Sequence, residues 1–93
     1  MNRSELIAEV SRRTGRPRAV VAEVARAVVD VIAETLDRGG TVQVYGLGIF
    51  ETVRRAPKVG RNPTTGETVH IPARRVVKFR AAKQVRERIA RTG

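Results

Sequence analysis

Basic side chains carry most of the chemistry this sequence offers. Residues 51–93 hold 12 Lys and Arg against 3 Asp and Glu, whereas residues 1–50 hold 7 against 6. A near-neutral half joined to a half of net charge +9 reads as a scaffold bearing a polyanion-binding surface. Guanidinium and ammonium groups pair with phosphates, so nucleic acid is the first ligand class. An anionic membrane is the second. A membrane-surface segment needs a basic amphipathic helix, however, and this half reads mostly as strand. Charge runs are most often solvated faces, and an imbalance of this size argues against that here.

Other chemistries find little support. Cysteine is absent and His70 is the single histidine, so thiolate or multi-His metal sites are excluded. Nothing pairs a nucleophile with a base or sets two carboxylates in a pocket, so no enzyme is expected. Gly46-Leu47-Gly48 lacks the third glycine and the following helix of a nucleotide loop, and Asn62-Pro63-Thr64 is closed to glycosylation by its proline. No cofactor, small-molecule substrate or membrane partner is expected. The apolar runs fall far short of the roughly 20 residues that span a bilayer. The start Met1-Asn2-Arg3-Ser4-Glu5 has no signal-peptide core, so a cytoplasmic protein is expected.

The elements that must position these cations follow from period and punctuation. Asn2 with Glu5 forms a capping-box-like start, Leu6, Ile7 and Val10 fall at helical spacing, and Gly15 is a stop, predicting a helix over about 3–14. Pro17 suits the first turn of a second helix, capped weakly by Arg16 and ended by Gly39-Gly40. That helix carries two apolar stripes, Val21, Ala25, Val28, Ile32, Leu36 and Val20, Val24, Ala27, Val31. A helix apolar over most of its circumference must be covered on several sides. Fifteen Val, eleven Ala and three aromatics make a small core for 93 residues, and chains of this size commonly enlarge theirs by oligomerising. A homodimer is therefore expected.

From Thr41 the period becomes two. Strands are expected over 41–45, 49–55 and 75–80, with a turn at Gly46-Leu47-Gly48. Between them, residues 56–73 are basic and punctuated by Pro57, Pro63 and Pro72, too polar to pack on a core; they read as an exposed ribbon or a disordered segment. Ala82, Val85 and Ile89 mark a final helix over about 81–91. The expected organisation is one α+β domain over 1–93: a helical dimerisation part (1–40), a three-stranded antiparallel sheet (41–80) with its arm at about 56–73, and a short C-terminal helix (81–93).

Gly46-Leu47-Gly48-Ile49-Phe50-Glu51, Arg55, the run Gly60-Arg61-Asn62-Pro63-Thr64-Thr65-Gly66-Glu67, Ile71-Pro72-Ala73 and Phe79 resemble the HU/IHF family of bacterial histone-like DNA-bending proteins, closest to HU. The likeness covers the whole chain, and its arm-tip run is long and specific. It implies an intertwined homodimer with two β-ribbon arms in the minor groove of double-stranded DNA. It also implies low sequence specificity, a preference for bent, nicked or distorted duplexes, and DNA bending, compaction and organisation in the nucleoid. Proline at a basic tip is, on sequence physics, first a turn residue; the resemblance makes Pro63 an intercalating wedge. Arg61 and Asn62 would flank it. Arg55, Lys58, Arg74, Arg75 and Lys78 would line ribbon and saddle, and Arg80, Lys83 and Arg86 would reach phosphates further out. Val21, Val24, Val28, Ile32, Leu36, Leu47, Phe50 and Phe79 would form the dimer core. Glu51 and Glu67 are read as structural, and His70 receives no role. Three features depart from the family: Leu47 for a common Phe, Val53 for a frequent basic residue, and Ala81-Ala82 for Pro-Gly, which predicts an earlier helix start. A sequence-preferring IHF-like factor and an RNA-binding module remain the alternatives, the second weakened by the shortage of aromatics for stacking.

Overall fold

The computed structural model describes residues 1–92 and separates into two compact units, Met1–Glu34 and the chain from Thr35 onward. In the first unit, α1 spans Arg3–Thr14. Asn2 Oδ1 accepts the Glu5 N–H at 2.9 Å, satisfying one of the free donors of the first turn, and Gly15 ends the helix with its N–H on the Ser11 carbonyl. The corner after it is tightly bonded: the Ser11 hydroxyl donates to Arg16 O at 2.6 Å and the Thr14 hydroxyl to Val10 O at 2.8 Å.

Helix α2 spans Arg18–Asp37. Its first backbone bond runs from Val21 N–H to the Pro17 carbonyl at 3.1 Å. Pro17 therefore stands just before the helix rather than in its first turn, and Arg16 is not the cap. Of the apolar side chains in this unit, only Ile7 and Val21 are buried; Leu6, Val10, Val20, Val24, Val28 and Val29 stay exposed. An apolar groove of about 420 Å³ lies among Leu6, Ile7, Val10, Val20, Val21 and Val24.

In the second unit, α2 closes with the hydrogen-bond pair of a Schellman turn, Gly40 N–H to Thr35 O and Gly39 N–H to Leu36 O, both 2.9 Å. Gly39 has φ +79°, which a side chain would resist. A three-stranded antiparallel sheet follows in the order β1-β2-β5, with β1 at Thr41–Val44, β2 at Gly48–Arg55 and β5 at Arg74–Ala81. Alternation divides it into two faces. One carries Val42, Val44, Phe50, Thr52, Val77 and Phe79; the other carries Gln43, Ile49, Glu51, Val53, Lys78 and Arg80.

The first face is tied to the end of α2. The Thr52 hydroxyl donates to Leu36 O at 2.7 Å, and the Phe50 and Phe79 rings meet at 4.9 Å between centroids. Gly48 is buried against this pair: a Cβ there would lie 2.8 Å from the Phe79 ring and would run into Arg80 O. Close approach and a φ of +157°, which L side chains rarely adopt, together require glycine at this corner.

Helix α3 spans Lys83–Thr92, starting later than the Ala81-Ala82 substitution suggested. Ala81 is the last residue of β5, and the Ala82 N–H donates to Leu47 O at 2.8 Å while its carbonyl accepts from Val85 and Arg86. Ala82 is thus held by the β1–β2 turn and serves as the cap.

Candidate nucleic-acid interface

Strands β3 (Lys58–Arg61) and β4 (Thr68–Ile71) pair as a separate two-stranded ribbon. Their register continues that of β2 and β5. Arg55 faces Arg74 at the end of the sheet, and Lys58 faces Ile71 at the start of the ribbon, with equal numbers of residues between. The ladder breaks only where Ala56-Pro57 meets Pro72-Ala73. Two prolines at facing positions remove a donor from each strand, so ladder bonding stops there without any shift of register.

At the tip, Asn62 is the organising residue. Its N–H donates to Glu67 O at 2.8 Å, its carbonyl accepts the Gly66 N–H at 2.7 Å, and its Oδ1 accepts the Thr64 N–H at 2.9 Å. This is an Asx turn nested in a wider loop. Asn62 is half-buried in these bonds, with its side-chain oxygen committed to shaping the loop. Pro63, with no N–H to satisfy, stands exposed at the apex. Glu67 closes the loop through its backbone.

The unbroken register sorts the cations by face. Arg55, Arg74, Lys78 and Arg80 share one sheet face, and the alternation carries Val59, Arg61, Thr68 and His70 onto the same side of the ribbon. Lys58 falls on the other side. Arg75 also leaves the expected group. It lies on the apolar face, where its guanidinium donates to Asp37 O at 2.8 Å and reaches Asp37 Oδ1 at 3.5 Å. It satisfies a carbonyl at the C-terminus of α2, where a cation also suits the dipole. Arg80 is bonded to Glu51 at 2.7 Å, a diagonal cross-strand pair, and Lys83 lies 3.7 Å from Glu87.

Arg54, Arg55, Lys58, Arg61, Arg74, Lys78 and Arg86 have no acidic partner among the described residues. Arg54, absent from the sequence-derived set, faces Arg75, one rung from Arg55 facing Arg74. Its doubling with Arg55 was the available signal. Like charges directly opposite destabilise a ladder; on the Arg54–Arg75 rung Asp37 offsets the repulsion, while the Arg55–Arg74 rung, without an acidic partner among the described residues, favours an added polyanion.

The expected core residues divide similarly. Phe50 and Phe79 meet as a tilted ring pair, Val21 is buried, and Ile32 and Leu36 are half-buried. Val24, Val28, Leu47 and Phe79 keep much of their surface exposed.

The family profile described as bacterial DNA-binding protein matches residues 1–90. The chain belongs to this family, that of HU and integration host factor. It is similar to the DNA-binding protein HU-1 of Halalkalibacterium halodurans, 44% identical over 96% of this chain and 99% of the relative. The integration host factor subunit beta of Azoarcus sp. is 40% identical over 96% of each chain. An HU–DNA cocrystal structure from Anabaena superposes with a TM-score of 0.90 at 37% identity, over 97% of this chain and 98% of that one. The family's fold, paired helices with an antiparallel sheet and an extended β-arm, is the fold described above, and the chain is a histone-like DNA-binding and DNA-bending protein of the HU/IHF type. Among the described residues, no helix is long and apolar enough to cross a membrane.

Proposed function

We propose that the chain acts as a homodimer that takes duplex DNA on the basic sheet face and lays its two arms in the minor groove. In this reading it has no catalytic activity and bends and compacts chromosomal DNA in the cytoplasmic nucleoid. The observation that carries the reading is the unbroken register. It sets Arg55, Arg74, Lys78 and Arg61 on one side and leads to an exposed proline at the tip. Pro63 serves as the wedge, since an apolar ring between base steps kinks a duplex. Arg61 is the cation nearest to it in sequence, and Asn62 holds the loop that presents it.

Backbone contacts carry no sequence information, and the minor groove distinguishes little beyond A·T from G·C. Low sequence preference follows, together with a preference for bent, nicked or cruciform duplexes whose distortion is already in place.

The homodimer rests on Val20, Val24, Val28, Val29 and Val31, all exposed along one helix. Burying a valine side chain is worth about 1.5–3 kcal/mol, so a second copy has a large driving force to cover this surface.

The test is affinity across a salt series on a defined site and on scrambled duplexes. A log–log slope of about −0.9 per phosphate neutralised, little changed by sequence, is the expected result. A slope near zero, or a strong preference for one site, overturns the reading. A sharp site preference would favour the integration-host-factor type of recognition instead.

A further inference from the structure

The face that carries Arg55, Arg74 and Arg61 also carries the chain's single histidine. His70 pairs with Val59 across the ribbon and alternates with Thr68, whose own cross-strand partner is Arg61. It is exposed. Beside it lies a depression of about 240 Å³ lined by Pro57, Lys58, Val59, His70, Ile71 and Pro72. Four of these, Pro57, Val59, His70 and Pro72, fall on the parity of Arg55 and Arg74, so the imidazole stands on an apolar floor within a basic face. The charged groups on its side of the ribbon are Arg61, diagonally across on β3, and Arg55 and Arg74 beyond the proline break, while Lys58 lines the depression from the other side; among the described residues, β3 is the only strand paired with β4.

A shallow apolar floor flanked by cations has the chemistry of a sugar–phosphate subsite: the deoxyribose packs on the floor and its phosphate meets the charges. We propose that His70 is a duplex-contacting residue, its imidazole and the floor beside it taking a backbone deoxyribose and its protonated form the adjoining phosphate. The inference rests on the proposed seating of DNA against this face. Its consequence is that protons and duplex bind together. Histidine is the side chain whose charge ordinarily changes between pH 5 and 8, and an anion held beside it favours the charged form. By linkage, acid then strengthens binding.

The experiment measures duplex affinity of the full-length protein at several salt concentrations, at pH 8 and pH 6. The variants are His70→Gln, His70→Lys, Arg61→Ala and Arg74→Ala, with DNA-free circular dichroism as the folding control. Wild-type affinity is expected to rise about tenfold from pH 8 to pH 6, with a salt slope steeper by up to about 0.9 per arm. His70→Gln is expected to bind alike at both pH values, and His70→Lys to bind at pH 8 as wild type does at pH 6. Wild-type binding that ignores pH while Arg61→Ala and Arg74→Ala still flatten the salt slope overturns the inference and leaves the seating intact. A pH effect that survives in His70→Gln assigns the proton to another group and also overturns it. If Arg61→Ala and Arg74→Ala leave the slope unchanged, the duplex does not lie on this face and the proposed seating fails.

Discussion

The helical unit and the β-ribbon arm both expose apolar side chains, for opposite reasons. In residues 1–34 the exposed groups include Leu6, Val10, Val20, Val24, Val28 and Val29; all but Val28 line a groove that is chiefly aliphatic, with Arg3, Thr14 and Arg16 also in its lining. In the arm they are few, Val59, Val69 and Pro63, and are set among Lys58, Arg61 and the arginines at its base. The first surface suits another copy of itself, because aliphatic groups gain most by leaving water together. The second suits a ligand that is charged along its edge and flat within, because small apolar groups between cations meet sugars and bases while the cations meet phosphates. Apolar exposure alone does not say what covers a surface; the charge woven through it does.

Val28→Glu probes that difference with the greatest expected effect. Val28 is 51% exposed, and an exposed valine in a self-sufficient chain would tolerate the change within about 0.5 kcal/mol. In a dimer the same change buries an unpaired carboxylate, and loss of dimer and of folding is expected. Sedimentation should give a monomer or an unfolded chain, and the wild-type thermal midpoint should rise with protein concentration. A stable, folded variant of unchanged mass would leave the helical surface without its assigned partner.

Pro63→Ala comes next and acts on the arm alone. The ring is lost, every charge stays, and the Asn62 loop keeps its three hydrogen bonds. Unstacking a base step costs a few kcal/mol, and without the wedge the bend angle, read by energy transfer between duplex ends, is expected to fall sharply. Affinity for straight duplex should change little. An unaltered bend would make Pro63 a turn residue only.

Arg74 and Arg75 sharpen the comparison between the two sheet faces. Arg74→Ala is expected to flatten the salt slope by about 0.9 per protomer, without changing the thermal midpoint. Arg75→Ala is expected to leave the slope alone and lower the midpoint modestly, since it removes the bond to the α2 C-terminus. Equal slopes for the two variants would remove the distinction between the faces.

The smallest effect is expected from acid on α1. Glu9 accepts from Arg12 and Arg13, and these guanidiniums, Arg12 foremost, hold its carboxyl below the usual carboxylate range; desolvation opposes them weakly. A carboxyl whose folded pKa is depressed contributes its full stability above the unfolded value and loses it as pH falls through the folded one. The thermal midpoints of wild type and Glu9→Gln should differ slightly at pH 7 and converge as the medium is acidified below the folded value. A gap that widens in acid would mean that Glu9 matters through something other than these pairs.

By itself, the sequence determined what local physics can settle. Asn2 and Gly15 bound the first helix because capping needs one side-chain acceptor and one chain end. Gly39-Gly40 end the second because a Schellman turn asks for a left-handed residue at that place. The proline-punctuated ribbon and its tip were legible as turn chemistry, and the specific tip run carried the family. Tertiary structure decided which parity of each strand faces which way. Ile49, Val53 and Val76 lie on one face and Phe50, Val77 and Phe79 on the other, so both parities are apolar and alternation alone cannot choose. Only the pairing of β2 with β5, and the bonds of Thr52 and Arg75 to the end of α2, fixes the choice. It sent Arg75 to the Asp37 carbonyl instead of the basic face, left Arg54 without an acidic partner among the described residues, and set His70 in line with Arg61. Each of these rests on a contact between residues far apart in the chain, and no local preference encodes such a contact.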